Sequence, residues 1–274
     1  MPDLSNLNIV ITGATSGIGK ATAQALSKMN AHIILIVRDR QRGENAASEL
    51  EGSSTIIEAD MAITTQVRRA AKEIKTQFSS IYTLINNAGI IGFDIRKETI
   101  EGFENTIATN YLGHWLLSTL LSDTIQEEGR IINLTSSTHR FSRLDRNNFM
   151  VTDNYHAFRV YGRSKLLMML FTREAAIRMP HLKINAVDPG TVASGIDRTW
   201  GAFARVIYKV GKPFMQSAEK GASTSIMLAS TPSLSETGQL FKDRKKTLPS
   251  LRSQNKEDAV WLWNTTATLL SATL

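Results

Sequence analysis

Tyr161 and Lys165 stand four residues apart in a stretch, 156–179, whose spacing of apolar residues predicts a helix. Both side chains then fall on one face, about 6 Å apart along the axis. A phenol with a pKa of about 10 is a weak base near neutrality, and a nearby ammonium favours its ionised form. A downward shift of about 2 to 3 units, equivalent to about 3 to 4 kcal/mol, would let the phenol exchange a proton with an alcohol or carbonyl oxygen. Taken alone, a tyrosine and a lysine at this spacing more often form an exposed amphipathic pair. A second group of hydroxyls, Thr135, Ser136 and Ser137, follows the apolar run 130–134. A hydroxyl there can stabilise an oxygen that is gaining charge, although a strand-end turn explains all three as well.

A third feature is the run from Thr12 to Gly19, TGATSGIG, which separates the apolar stretch 8–12 from a helical stretch, 20–29. Gly13 permits a tight turn, Gly17 lets the backbone approach a pyrophosphate, and Gly19 lets the helix pack closely, with its N-terminus toward the anion. A structural turn is the competing explanation, and the position between strand and helix weakens it.

These residues need elements to position them. Apolar runs of strand length occur at 8–12, 32–37, 55–59, 81–86, 130–134, 182–187 and 238–241, with helical segments between them. The runs are mostly apolar rather than alternating, so each strand is covered on both faces by helices. The expectation is a single α/β domain over 1–274 with a doubly wound, mainly parallel sheet of seven strands. Ligands of such sheets bind beyond the carboxyl ends of the strands, where the motifs above fall.

Composition narrows the function. The chain has no cysteine, which excludes disulfides and thiol catalysis, and histidines 32, 114, 139, 156 and 181 lack ligand spacing, so no metal is expected. No run of 18 apolar residues and no secretory leader is present, which predicts a cytoplasmic location. The formal charge is +7, with one dense basic patch at Lys242, Arg244, Lys245 and Lys246. No aromatic residues are interleaved with it, so no nucleic acid partner is expected.

With further motifs in order, the sequence resembles the short-chain dehydrogenase/reductase family. The glycine run has that family's longer spacing. It is followed by Asp60, the run Asn86-Asn87-Ala88-Gly89, Asn110, Ser136, the run Tyr161-Gly162-Arg163-Ser164-Lys165, and Pro189-Gly190, so the motifs cover about residues 8 to 241. The stretch from Thr109 to His114, the lengthened segment between Ser136 and Tyr161, and the tail around Trp261 and Trp263 resemble the retinol-dehydrogenase-like branch. The resemblance implies a Rossmann-type fold and selects Ser136 among the three hydroxyls. It makes Tyr161 the acid/base, gives Lys165 both the phenol and the nicotinamide ribose, and gives Asn110 a water that links Lys165 to solvent.

For the cofactor, the resemblance implies contacts from Gly13, Thr15, Ser16, Gly17, Ile18 and Gly19, from Asp60 and Met61 at the adenine, and from Asn87, Ala88 and Gly89. Tyr161 and Lys165 flank the nicotinamide, and Pro189, Gly190, Val192 and Ser194 sit beside its carboxamide. The general acidic spacing points to Asp39 and NAD(H). In the family, however, NAD users carry a carboxylate where Val37 stands, and NADP users place a basic residue next, as Arg38 does here. A guanidinium can pair bidentately with a 2′-phosphate, and Ser16 can add a hydroxyl, so NADP(H) is preferred over NAD(H). The competing explanation makes Arg38 an exposed loop arginine and Asp39 a helix cap, and Asp39 can fill both of its roles at once.

The segment 193–216 corresponds to the family's substrate lid. Trp200, Phe203, Ile207, Tyr208 and Phe214 suit a hydrophobic alcohol or carbonyl there, and a satellite core would explain them too. The helices after the fourth and fifth strands imply a homodimer. The amphipathic tail near 256–272 has three roles open to it: docking on the domain, touching a membrane surface, or covering the site. A cofactor-binding sensor or scaffold without turnover is the rival to an oxidoreductase, and four intact catalytic positions argue against it.

Overall fold

The computed structural model describes residues 2–92, 95–192 and 216–271. Among them, eight strands form one sheet: β1 Asn8–Thr12, β2 His32–Val37, β3 Ser54–Glu58, β4 Ile81–Asn86, β5 Ile125–Leu134, β6 Lys183–Asp188, β7 Leu240–Lys242 and β8 Lys245–Thr247. Their spatial order is β3-β2-β1-β4-β5-β6-β7-β8. All neighbours are parallel except β7 and β8. The expected seven strands are thus corrected to eight. β8 is a three-residue edge strand whose lysines are exposed, so no apolar run announces it. Asp243 and Arg244 make the connecting turn, both with the positive φ that a two-residue hairpin requires. The basic patch lies along this hairpin, where charge keeps an open sheet edge from pairing with another chain.

Helices α1 Gly17–Ser27, α2 Arg40–Ala47 and α3 Thr64–Gln77 follow β1, β2 and β3. Helix α4 covers 105–121 and is interrupted by a wider π-helical stretch, Ala108–Leu112. It is followed by α5 Ala157–Arg178, α6 Ala218–Ser230 and α7 Lys256–Ser271. Alternate strand residues feed two cores. Val10, Ile34, Leu84, Ile131 and Ile184 pack under α3, α4, α5 and α7, and Ile9, Ile11, Ile33, Ile85 and Val187 pack under α1 and α6. The strand order reverses between β1 and β4, so the loops after these two strands open a crevice at the carboxyl edge.

Helix α7 docks on the domain. Trp263 meets Trp115 edge-on at 5.2 Å and stacks on Phe171 at 6.0 Å, and Thr266 shares a 2.7 Å hydrogen bond with Tyr111. Of the three roles open to the tail, packing on α4 and α5 is the one observed. Among the described residues, no helix is long and apolar enough to cross a membrane.

Candidate active site

The loop after β1 is pressed against the loop after β4, and this contact sets the glycine positions. Gly13 has φ +67°, and a Cβ on it would lie 2.8 Å from the Ala88 Cα. A Cβ on Gly19 would lie 2.5 Å from the Gly13 carbonyl oxygen and closer still to the Asn87 amide. Asn87 Nδ2 donates to the carbonyl oxygens of Thr12 (2.8 Å) and Gly13 (3.2 Å), locking the two loops together. Gly17 also has positive φ, and Ser16 precedes α1 in extended conformation without spending its hydroxyl on the helix end. A cradle of this kind, with a helix N-terminus and an uncommitted hydroxyl beside it, fits a dinucleotide phosphate. Thr15, Ser16 and Ile18 are half-buried around it. Ile18 and Val192 both flank Gly221 of α6, so the glycine loop and the segment after β6 meet there.

At the outer end of the crevice, Arg38 and Asp60 follow β2 and β3. Arg38 is exposed, and its Nη1 is 4.0 Å from Asp60 Oδ2, so the guanidinium is held only at the outer limit of an ion pair. Asp39 is committed elsewhere: its Oδ1 accepts the Arg42 N–H at 3.0 Å and caps α2. Asp60 does not cap α3. Its Oδ1 accepts the Ala62 N–H at 2.9 Å, while Glu101 accepts the Thr64 N–H at the start of that helix. Met61 is buried against Gly113 of α4.

Tyr161, Lys165, Ser136 and Asn110 converge at the inner end. Ser136 is the side chain that faces the Tyr161 phenol and favours its ionised form, and its Oγ also accepts the Thr138 N–H at 3.3 Å. Lys165 Nζ lies over the Tyr161 ring, 5.5 Å from its centroid, and donates to the Leu134 carbonyl at 3.0 Å. A Cβ on Gly89 would lie 3.4 Å from Asn110 Oδ1 and 3.5 Å from Lys165 Nζ, in ordinary van der Waals contact, so the run after β4 passes directly beside these two groups. Asn110 is held tightly: its Oδ1 accepts the Ile90 N–H at 2.8 Å, and its Nδ2 donates to the Ile90 carbonyl (2.9 Å) and to Ser164 Oγ (3.0 Å). The amide donors are thus engaged, and Oδ1 keeps one lone pair free. Of the three neighbouring hydroxyls, Thr135 is spent on the Lys165 carbonyl (2.9 Å), and Ser136 is the one that acts on the phenol.

The phenol titrates in the direction opposite to the sequence expectation. Burial is the largest influence and pushes Tyr161 up to about 12, the Ser136 bond pulls it down, and the Asp188 carboxylate pushes it further up. Burial outweighs the favourable influences, so the side chains alone keep the phenol protonated. Burial also brings Lys165 down to about 8, against the pull of Asp188. Unfolded, this lysine titrates near 10.5. Below pH 8 both states carry the charge and the burial cost is felt in full. Between pH 8 and 10.5 the unfolded chain holds the extra proton, so stability rises with pH. Relative to Lys165→Met, the wild-type protein is expected to gain on the order of 3 kcal/mol across that window at about 1.36 kcal/mol per unit. Denaturant titrations of both proteins from pH 7 to 10.5 measure it, and a difference that stays flat would contradict the shift.

Two residues without a role assigned from sequence complete the geometry. His114 is buried, and burial brings it to about 3, so it is neutral. Its Nδ1 lies 3.2 Å from the Asn110 carbonyl, which can only accept, so Nδ1 carries the proton and Nε2 accepts from Thr12 Oγ1 at 3.0 Å. Thr12 Oγ1 in turn accepts the Asn87 and Ala88 N–H groups, each at 2.9 Å. His114 therefore ties the glycine cradle to the π-helical stretch that carries Asn110. Asp188, buried at the end of β6, accepts the Gly190 N–H at 3.0 Å and lies 3.9 Å from Lys242 Nζ. It fixes the Pro189-Gly190 turn, where Gly190 has φ +75°. Ser194 and nearly all of the expected lid, 193–215, lie outside the described residues.

A glycine loop at the switch point of a doubly wound sheet, with a serine, tyrosine and lysine beyond it, is an arrangement that suits a dehydrogenase. The model of the short chain dehydrogenase family matches residues 7–204, and the chain belongs to that family. Within it, the chain falls in the retinol-dehydrogenase-like branch. It is 35% identical to retinol dehydrogenase 12 of Mus musculus over 272 residues, covering 96% of this chain and 85% of that one. It is also 35% identical to retinol dehydrogenase 11 of Mus musculus, covering 95% and 85%. A crystal structure of a protein from Mycobacterium paratuberculosis superposes with a TM-score of 0.82 at 28% identity, over 99% of this chain and 96% of that one. The family uses a nicotinamide dinucleotide, NAD(P)(H).

Proposed function

We propose that this protein is an NADP(H)-dependent oxidoreductase that interconverts a hydroxyl and a carbonyl on a hydrophobic small molecule. One observation carries the reading: Tyr161 faces Ser136 with the Lys165 ammonium over its ring, and Gly89, in the run that packs on the glycine loop, lies beside Lys165 and Asn110. A nicotinamide dinucleotide, when bound, would supply the hydride chemistry at the substrate carbon. Gly13, Gly17 and Gly19 would hold the pyrophosphate region, Ser16 and Arg38 the 2′-phosphate, Lys165 the ribose, and the segment after Pro189 and Gly190, including Val192 and Ser194, the carboxamide.

In reduction, the Tyr161 phenol donates its proton to the carbonyl oxygen, while the Ser136 hydroxyl donates a hydrogen bond to the same oxygen. Lys165 stabilises the phenolate left behind, and the free lone pair of Asn110 Oδ1 positions a water that returns a proton from solvent. A phenol held at about 12 is suited to the acid role. Oxidation needs added positive charge near the phenol, which an oxidised nicotinamide carries. The names of the retinol dehydrogenase relatives speak of a hydrophobic alcohol, which supports that substrate class. A homodimer through α4 and α5, expected from the sequence, would have to use whatever surface α7 leaves uncovered.

The NADP(H) preference rests on Arg38, exposed and weakly held, and on Asp39, committed to capping α2. Arg38→Asp is expected to weaken NADPH binding by roughly 100-fold, the order of two charge-assisted hydrogen bonds. NADH affinity should change by no more than about 3-fold, since a ribose hydroxyl does not use the guanidinium charge. Fluorescence titration with both cofactors measures this, and equal losses would refute the assignment.

A further inference from the structure

Eight large apolar side chains stand exposed among the described residues, and four of them gather on one rim: Phe141 (83%), Phe158 (57%), Leu248 (81%) and Leu251 (88%). Singly exposed apolar residues are ordinary, whereas a cluster marks a surface that meets something. Phe141 ends the short helical turn Ser137–Phe141 that begins directly after Ser136. The Arg140 guanidinium donates to the Leu248 carbonyl, and Arg252 Nη1 donates to the Ser142 carbonyl at 3.2 Å, joining the 139–143 and 248–252 segments. Phe141 and Phe158 line one shallow groove together with Arg143 and Arg159.

The charge around these apolar groups is mainly positive. Arg140, Arg143, Arg159 and Arg252 are interleaved with them, and the β7–β8 hairpin that leads into Leu248 adds Arg244, Lys245 and Lys246. None of the seven forms an ion pair among the described residues. Asp243 is the one acidic residue between 242 and 252. Side chains that can enter the boundary between headgroups and acyl chains, ringed by cations that stay at phosphate level, match the two terms of peripheral lipid binding. A second copy of the chain would bring like charges together. Single-stranded nucleic acid is bound by aromatic stacking platforms, and two of the four apolar groups are leucines.

We propose that this rim docks the protein on the surface of an anionic lipid bilayer. The rim begins five residues from Ser136, so docking would turn the mouth of the candidate site toward the lipid. The docking itself does not depend on the reaction or on the cofactor.

Sedimentation of the purified full-length chain with phosphatidylcholine vesicles, with and without phosphatidylserine, tests the proposal. The expected result is binding that requires phosphatidylserine and weakens with added salt. The double variant Phe141→Ser/Leu251→Ser is expected to lower partitioning at least 10-fold. Lys245→Ala and Lys246→Ala are each expected to lower it about 5-fold (about 1 kcal/mol) and to flatten its salt dependence. These positions are exposed, so melting temperatures should stay at the wild-type value. The proposal is overturned by an absence of vesicle binding, or by equal binding of wild type and all variants. It is also overturned if light scattering shows a wild-type dimer that the apolar variants split, or if the variants lose affinity for single-stranded nucleic acid but keep it for vesicles.

Discussion

Tyr161→Phe is expected to keep NADPH affinity within about 2-fold of the wild type and to lower turnover by roughly 10² to 10⁴-fold, the usual contribution of a positioned general acid. The ring that packs beneath the Lys165 ammonium survives the substitution, so the lysine keeps its place and the cradle formed by Gly13, Gly17 and Gly19 is untouched. What is lost is the one hydroxyl that both meets Ser136 and carries a transferable proton at neutral pH. Steady-state rates and cofactor fluorescence measured on one preparation separate the two effects. Turnover within about 3-fold of the wild type would remove Tyr161 from the mechanism, and a parallel loss of NADPH affinity would make its role one of binding.

The largest expected effect on stability comes from Arg130, a fully buried arginine at the centre of β5. Its guanidinium donates to the carbonyl oxygens of Leu228 (2.7 Å), Ala229 (2.6 Å) and Thr231, closing the C-terminal end of α6, and its flat face lies 4.7 Å from the Tyr82 ring centroid. Those carbonyls are the negative end of the helix dipole and have no later turn to bond to. Arg130→Met fills similar space but leaves three buried acceptors without donors, so a loss of about 3 to 5 kcal/mol is expected. That corresponds to roughly 10 °C in melting temperature for a chain of this size. Because α6 carries Gly221 against Ile18 and Val192, cofactor affinity should fall as well. Arg130→Lys, which keeps a donor and a charge, should recover part of the loss. Calorimetry on the two variants measures it, and a melting temperature within 2 °C of the wild type for Arg130→Met, on the scale of about 2 to 4 °C per kcal/mol, would contradict the role.

The parts of the fold legible in the sequence were those whose signal is local. β1, β2 and β4 are buried on both faces and written as uninterrupted apolar runs, and their limits agree with the expectation to the residue. β5 begins at Ile125, five residues before its expected start, because Gln126, Glu127 and Glu128 are exposed and polar while their backbone already belongs to the strand. β8 escaped notice for the same reason.

At the site, spacing was enough to single out Tyr161 and Lys165 as a pair and to raise three candidate hydroxyls, from which the resemblance chose Ser136. Spacing could not say that the ammonium lies over the phenol ring, nor that burial reverses the expected shift in its acidity. His114 was visible only as part of a motif. Its use depends on Thr12, 102 residues away, and no local pattern reports such a contact. Asp188 likewise reads as an ordinary strand-end carboxylate until the sheet brings it to Lys242, Tyr161 and Lys165. Asp39 shows the converse. Two roles fitted its sequence position, and the 3.0 Å bond to the Arg42 N–H assigns it to the helix end.

The most direct test of the proposed chemistry follows a label. NADPH carrying deuterium at the transferring position of the nicotinamide C4 would be supplied with a panel of hydrophobic aldehydes and ketones, and the products read by mass spectrometry. The expected result is one deuterium on the former carbonyl carbon with the wild-type protein and none above background with Tyr161→Phe. Saturating NADPH binding with no labelled product from any carbonyl in the panel would contradict the oxidoreductase reading and leave a protein that binds the cofactor without using it.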